Sequence, residues 1–556
     1  MTDTCLDIIT QLTVELHKDD TSKEKLGTGV LYINRKLSGV VYVLTAKHCL
    51  LGLGEKGRVS LRIYNPDTST YEYFTPVKQS IFYHPVDDAG IVVFNQRELT
   101  SAVSNLPSVF VVDRNVGGDE VVTKGFPMAT FDQTNENGES SLAMIRMNYL
   151  QEDTTKNVFQ LSTNDDYSED TIVGMSGSGI FIEACEELYI NGILIRYTDE
   201  ERGKVISAQR LTSYNELLEK EYKKKMPLAF LGHHGLGHKT FKNNVDNSVA
   251  NLGPRYCQKV NVKTGTAKYF DCVAKTPAYF ERLKRNIDGW LTEKSYRARK
   301  DSCRIGELEA YLKAIRNDFT SALKELDTSV KAIIEFTDLM KRIDDLQNKL
   351  ENVRYQLYSD YSTTKNDEKY KRELDADESR LSEISSDLYS FTSDYKDLKI
   401  GLANNPYLVI KGEAGCGKSH LLGDVASNRI ADGLPTVLLL GTDFAGGTYE
   451  TIITSKVGFT GTFQEFLSSF NQIGIQVGSR ALLMIDALNE GPQAVLWKDR
   501  LSGLIKSLKD YPAIGLVVSV RDTYFNDVIP DGIEDDLKAT IIKESRILTP
   551  IHQESW

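Results

Sequence analysis

The run Gly412, Glu413, Ala414, Gly415, Cys416, Gly417, Lys418 and Ser419 narrows the folding options of this chain more than any other stretch. It lies between the apolar Tyr407-Leu-Val-Ile and the helix-like His420-Leu-Leu-Gly-Asp-Val-Ala. Its glycines let the backbone close into a nest of amide hydrogens. Lys418 would reach the β- and γ-phosphates of a nucleotide, and Ser419, at a helix N-terminus, would ligate Mg2+. A loop of this kind needs a strand before it and a helix after it. More strand-like runs follow (Thr436-Val-Leu-Leu-Leu, Leu482-Leu-Met-Ile, Ile514-Gly-Leu-Val-Val-Ser-Val), with helical spacing between them. That alternation predicts a parallel α/β sheet. The third run ends in Asp486, placed to hold Mg2+ and its water shell, and Glu490 beyond it would polarise an attacking water. The fourth ends in Arg521, suited to sensing a γ-phosphate.

Two other kinds of sequence precede this region. Up to about Leu217 the chain has short β-branched and aromatic runs, such as Thr13-Val-Glu-Leu, Val40-Val-Tyr-Val-Leu, Ile91-Val-Val-Phe and Ile180-Phe-Ile, separated by Gly, Asn and Asp. That spacing predicts an all-β barrel or sandwich. From Tyr311 to Ile400 there is neither glycine nor proline. Leu312, Ile315, Phe319, Leu323, Leu326, Val330 and Ile333, and then Phe336, Met340, Ile343, Leu346 and Leu350, recur there at helical spacing. The pattern predicts long helices folded back near Ser362, with Leu374, Leu381, Ile384, Leu388 and Phe391 on the return arm. The expected domains are therefore a β domain over 1–220, a linker over 221–300, a coiled-coil-like helical segment over 301–400 and an α/β core over 401–556. At 556 residues there is room for three or four domains of ~150 residues each.

Composition excludes several classes. No run of about twenty apolar residues exists and the start lacks a basic stretch followed by an apolar one, so no membrane segment or secretory signal is expected. The seven cysteines are scattered without metal-ligand spacing, which fits reduced thiols and a cytoplasmic location. A net charge of -12 gives no support to a general nucleic-acid surface.

The β-rich region carries Leu44-Thr-Ala-Lys-His48-Cys, His84-Pro-Val-Asp87-Asp-Ala-Gly and Gly174-Met-Ser176-Gly-Ser-Gly, in the order His, Asp, Ser. A serine hydroxyl needs a base to take its proton and a carboxylate to hold that base in one tautomer. Glycines around Ser176 permit a sharp turn that presents amide hydrogens to an oxyanion. These segments resemble the signatures of the trypsin-like, chymotrypsin-fold serine proteases, and Gly27-Thr-Gly-Val resembles a strand opening of bacterial members. The resemblance implies a double barrel with His48 as general base, Asp87 as orienting carboxylate and Ser176 as nucleophile. It also implies an oxyanion hole from the amides of Gly174 and Ser176. Asp88 rivals Asp87, and Ser178 rivals Ser176. Met175 replaces the aspartate that pairs with a freed N-terminus in zymogen-activated members, so activation by chain cleavage is not expected. Asp170 lies where trypsin places the acid that selects Lys or Arg; a plain loop acid among Asp165, Asp166 and Glu169 is the other reading.

The second half resembles the STAND P-loop NTPases related to NACHT modules. It is most similar to bacterial antiviral STAND proteins of the AVAST type, in the loop at 412–419 with His420, in Ile485-Asp486-Ala-Leu-Asn-Glu490-Gly and in Ser519-Val-Arg521. Asn251-Leu-Gly-Pro-Arg-Tyr256 resembles a linker motif of those proteins. The resemblance implies ATP and Mg2+ as cofactors and residues 412–420 with Arg521 as nucleotide-binding. It also implies a homo-oligomer on activation, an N-terminal effector, and a viral protein as trigger through a C-terminal sensor. Within the 556 residues no such sensor is expected after Arg546-Ile-Leu-Thr-Pro-Ile, a candidate last strand, so the sequence reads as either a fragment or a naturally short product. His233-His-Gly-Leu-Gly-His238 reads as a Gly-rich loop rather than a metal site, and basic runs such as Lys223-Lys-Lys read as solvated faces. The combined expectation is an ATP-switched defence protein whose protease domain cleaves a partner protein. The alternatives are a scaffold with an inactive protease fold and a housekeeping ATP-driven protease.

Overall fold

The computed structural model describes residues 1–19, 24–33, 39–53, 57–99, 107, 109–113, 120–127, 141–153, 156–163, 173–197, 205–223, 225–257, 267–291, 303–363 and 368–544. The chain divides into two compact units, Met1–Thr240 and Phe241–Trp556.

The first unit is two antiparallel sheets. β1 (Thr13–Lys18), β2 (Lys25–Ile33), β3 (Val40–Thr45), β4 (Val59–Asn65), β5 (Thr70–Phe74), β6 (Gln79–Tyr83) and β7 (Gly90–Asn95) join in the order β5-β4-β1-β2-β3-β7-β6. β8 (Phe110–Val111), β9 (Glu120–Gly125), β10 (Ala143–Asp153), β11 (Val158–Thr163), β12 (Gly179–Ala184), β13 (Glu187–Tyr197) and β14 (Val205–Arg210) join in the order β12-β9-β10-β11-β14-β13-β8. β12 also pairs with β13, which closes six of these strands into a ring. β11 shows why such residues make strands: Phe159, Leu161 and Thr163 are buried while Val158, Gln160 and Ser162 are half-buried, the period of two that a barrel wall requires. Helix Asp3–Leu12, capped by the Thr2 side chain on the Cys5 N–H, buries Cys5, Ile9 and Leu12 against the core under the first sheet. The all-β expectation for this region holds, and the pair of sheets resembles the chymotrypsin-like arrangement.

In the second unit, helices Cys303–Lys324, Thr337–Thr363 and Glu368–Asp397 pack by the apolar stripe the sequence displays. Their centre is aromatic: Trp290 stacks on Phe391 at 4.0 Å and meets Phe319 edge-on. The helix pattern does not run unbroken through Leu326, Val330 and Ile333. Residues 325–336 leave the helix. There Asp327 accepts hydrogen bonds from the Ser329 amide (2.8 Å) and hydroxyl (3.0 Å), a local turn that competes with helix. Asn404 then ties both backbone groups of Ile334, at 2.9 and 2.8 Å.

Beyond the helices, β15 (Tyr407–Gly412), β16 (Thr436–Leu440), β17 (Ala481–Asp486), β18 (Ile514–Arg521) and β19 (Thr540–Glu544) form a parallel sheet in the order β16-β17-β18-β15-β19. Its fifth strand is Thr540–Glu544; the expected last strand, from Arg546, lies outside the described residues. Arg480, 2% exposed, donates to the carbonyls of Val273, Ala403 and Pro512 and so ties helix Ala267–Ala274 to the sheet. Among the described residues no helix is long and apolar enough to cross a membrane.

Candidate functional site

Each unit gathers its own group of the residues singled out from the sequence. In the first, β3 ends at Thr45 and the short helix Lys47–Leu51 begins, so His48 stands at the mouth of the sheet with its side chain 46% exposed. The bend between β6 and β7 supplies its acid. Asp88 accepts from the His48 amide through Oδ1 at 3.0 Å and meets the ring Nδ1 through Oδ2 at 2.7 Å. In the neutral ring, Nδ1–H facing a carboxylate would leave Nε2 as the acceptor, the tautomer a general base needs.

Asp87 does not hold His48. Its Oδ2 accepts from the Ser213 hydroxyl at 2.6 Å and from the Asn157 amide at 3.1 Å, and its own N–H donates to His84 Nδ1 at 2.8 Å. Adjacent residues in the bend point to different sides, and the register places Asp88 on the histidine and Asp87 on the supporting loops. Gln209 steadies the bend, accepting from the Asp88 amide at 3.3 Å and donating to Asn157 O and Ser213 Oγ at 2.8 Å each.

The Asp88 hydrogen bond, reinforced by Cys49, pushes His48 up from its ordinary 6.5 to about 10. Burial raises Asp88, but the His48 ring, its charge and the amides of His48 and Lys47 outweigh this and hold the carboxyl below its usual range.

Ser176 sits in the turn before β12, partly exposed. Its carbonyl accepts from the Thr28 amide at 2.9 Å and from Cys49 Sγ at 3.4 Å, so the residue after His48 touches the serine loop. Two glycines permit this approach. A Cβ on Gly177, φ +92°, would stand 1.9 Å from Thr28 O, and one on Gly27 would stand 2.6 Å from Cys49 Sγ. Gly174 has φ +94° and its carbonyl accepts from Thr28 Oγ1 at 3.0 Å. Among the described residues no protein acceptor takes the amide hydrogens of Gly174 or Ser176, as an oxyanion hole requires. Ser178 is fully buried and donates to Met175 O at 2.6 Å, a structural hydroxyl. Met175 is itself fully buried in the apolar core. Asp170 lies outside the described residues.

The His233–His238 stretch is a turn, with Gly235 at φ +81°, and the His238 ring stacks between Phe110 and Phe230 at 4.1 and 3.9 Å. Among the described residues His84, Asp87 and Glu216 have ligand-like spacing, yet His84 Nδ1 and Asp87 Oδ2 are already taken up by the hydrogen bonds that hold the bend.

In the second unit, parallel pairing brings the strand ends to one edge: Gly412 faces Arg521, and Asp486 ends β17 opposite Leu440. A cleft of about 250 Å3 opens there, lined by Ala414, Gly415, Gly417, Lys418, Ser419 and His420, and from other segments chiefly by Arg255, Asp486, Glu490 and Arg521. Gly415 and Gly417 have φ of +77° and +99°, the conformation an amide nest needs. Lys418 Nζ donates to the carbonyls of Gly412 and Glu413 at 2.8 and 2.9 Å, and Glu413 and Cys416 do not line the cleft. His420 is buried, its Nε2 on Cys257 O at 3.0 Å and its ring 5.2 Å from that of Tyr256.

Asp486, 1% exposed, accepts from Ser519 Oγ at 2.6 Å through Oδ1, while Oδ2 has no hydrogen-bond partner of proper geometry among the described residues. Burial raises its pKa; the hydroxyls of Ser419 and Ser519 and the charge of Arg255 oppose the rise. A buried, unpartnered carboxylate oxygen near a serine hydroxyl fits Mg2+.

Glu490 is held on both sides, by Arg255 Nη1 at 2.9 Å and Arg521 Nη2 at 2.9 Å. Arg255 is not among the site residues expected from the sequence. It lies far ahead of the loop in the chain, and only its motif, Asn251–Tyr256, marked it.

No family model matches the chain, and no curated protein matches it. Among solved structures it is similar to kallikrein-related peptidase 10, with 16% identity over 38% of this chain and 96% of that one, at a TM-score of 0.27. It is likewise similar to neuropsin, a serine protease expressed in the limbic system of mouse brain, with 15% identity over 38% of this chain and 95% of that one, at a TM-score of 0.28. At such scores neither likeness bears on the chemistry, which stands on the residues.

Proposed function

We propose that the first unit is a serine endopeptidase and that the second binds ATP with Mg2+ as the switch controlling it. The observation that carries the reading is the two-point hold of Asp88 on His48, whose neighbour Cys49 meets the carbonyl of the glycine-bounded Ser176 at 3.4 Å, while the Ser176 hydroxyl itself rests on Ile195 O at 3.4 Å. In the reaction, Ser176 Oγ attacks the peptide carbonyl carbon while His48 Nε2 takes its proton. Asp88 keeps the proton on Nδ1 and stabilises the imidazolium that forms. The amides of Gly174 and Ser176 receive the oxyanion. The imidazolium returns its proton to the leaving amine, and the same ring then activates water to release the acyl group.

In the second unit, Gly415, Gly417 and Lys418 would hold phosphates, and Ser419 and Asp486 would hold Mg2+. The ion would neutralise phosphate charge, and Glu490, once free of its arginines, would orient water. What supports reading the switch as a defence device is the resemblance of residues 250–556 to antiviral STAND proteins, under which assembly of copies would be the activating event and a viral protein the trigger. Cleavage of a protein substrate by the full chain, lost in Ser176→Ala and gained with ATP in the wild type, tests the whole reading. One observation favours the competing reading of a silent protease fold: the Ser176 hydroxyl donates to Ile195 O at 3.4 Å, and a ring pushed up to about 10 by Asp88 is a poor base at neutral pH. Unchanged cellular activity in Ser176→Ala would select that reading.

A further inference from the structure

We propose that Arg255 is a nucleotide-contacting residue delivered from outside the parallel sheet, and that its shared grip with Arg521 on Glu490 is what distinguishes a nucleoside triphosphate from a diphosphate. The inference rests on the reading that the cleft holds ATP.

Arg255 closes a short turn, Gly253–Arg255, at the end of helix His238–Leu252. That helix is fixed to the sheet. Asn244 Oδ1 accepts from the Leu438 amide at 2.9 Å, and Ser248 Oγ donates to Leu438 O at 2.6 Å. The residues around Arg255 also lie on the helix that follows the glycine loop. A Cβ on Gly423 would stand 3.0 Å from Tyr256 Cδ2 and 3.1 Å from Leu252 Cδ1, so a glycine there lets the turn sit down. Next to it, the ring and carbonyl contacts of His420 hold Tyr256 and Cys257. The base of Arg255 is thus anchored to both the sheet and the loop's own helix, while its side chain remains 41% exposed.

The charge around the cleft is unbalanced. Lys418, Arg255 and Arg521 line it against two acids, Glu490 and a deeply buried Asp486. A single carboxylate engaged by two guanidiniums leaves positive charge unspent, and a terminal phosphate dianion offers those guanidiniums more oxygens in the bidentate geometry they favour. A triphosphate would take Arg255 and Arg521 off Glu490 and leave that carboxylate free. A diphosphate, lacking the terminal group, would leave the three-residue fork closed. The differential affinity is then the switching energy, because a ligand shifts an equilibrium only by its preference between the two states.

The test is calorimetric titration of the full chain with Mg·ATP and Mg·ADP. Arg255→Ala, a change at an exposed side chain, is expected to weaken ATP by roughly tenfold or more while ADP stays within about twofold. Glu490→Gln, which removes the competing charge, should tighten ATP relative to ADP. Equal changes for both nucleotides in Arg255→Ala, or none, overturn the assignment and leave the nucleotide reading standing. A wild-type chain that binds neither nucleotide overturns both.

Discussion

The two candidate sites are positioned in opposite ways. In the second unit every strand runs in the same direction, so groups at strand ends meet at one edge through pairing alone, as Gly412 meets Arg521. In the first unit the groups come from bends between antiparallel strands of two sheets, and close glycine contacts bring those bends together. A strand-end site tolerates changes in its loop; a bend site has backbone packed at its centre and does not.

The largest effects should separate residues that act from residues that only support. Ser176→Ala or His48→Ala should lower peptide cleavage by on the order of 10^4-fold or more. Asp88→Asn should lower kcat by a comparable factor, because the wrong tautomer then faces the serine. Asp87→Asn should leave kcat within about tenfold and instead reduce unfolding free energy by about 1–3 kcal/mol, read by denaturant titration, since Ser213 and Asn157 lose a charged acceptor. A reversal of the two aspartates would break the comparison.

Glycine substitutions sharpen it. Gly177→Ala drives a Cβ to within 1.9 Å of Thr28 O and should prevent the first unit from folding properly. Gly415→Ala meets nothing within 4 Å and should cost only about 1–2 kcal/mol of left-handed strain, seen as a small drop in Tm with weakened ATP binding.

The smallest expected effect is on pH dependence. His48 is raised in the folded unit, so its contribution to stability is complete below its unfolded value of 6.5 and fades as pH rises through about 10. Cleavage has the opposite sign, since only the neutral ring accepts a proton, and kcat/KM should climb with pH until it levels off near 10. Asp88→Asn should bring the His48 titration back down, measurable by NMR of the ring.

The sequence made some of this legible and hid the rest for physical reasons. His48, Ser176, Asp486 and the 412–419 loop were readable because glycines and strand ends confine them to one conformation. Asp87 is the residue the Asp-x-Ala resemblance selects, yet Asp88 holds His48, since a one-residue register in a bend leaves no trace in composition. The break at 325–336 was masked by apolar residues that continue a helical period while Asp327 turns the chain locally. Thr540–Glu544 is as short as Thr436–Leu440 but far more polar, with only Ile541 and Ile542 apolar, and so does not announce itself as a sheet strand. Arg255 acts through a contact between residues 235 positions apart, which no local pattern encodes.

The central claim is that Ser176, activated by His48 and Asp88, is a nucleophile under nucleotide control. Fluorophosphonate labelling of the full chain, with the adduct located by mass spectrometry in the presence and absence of Mg·ATP, addresses it directly. The prediction is an adduct on Ser176 that increases with ATP in the wild type and does not increase in Lys418→Ala. No adduct on Ser176 in any nucleotide state would contradict it.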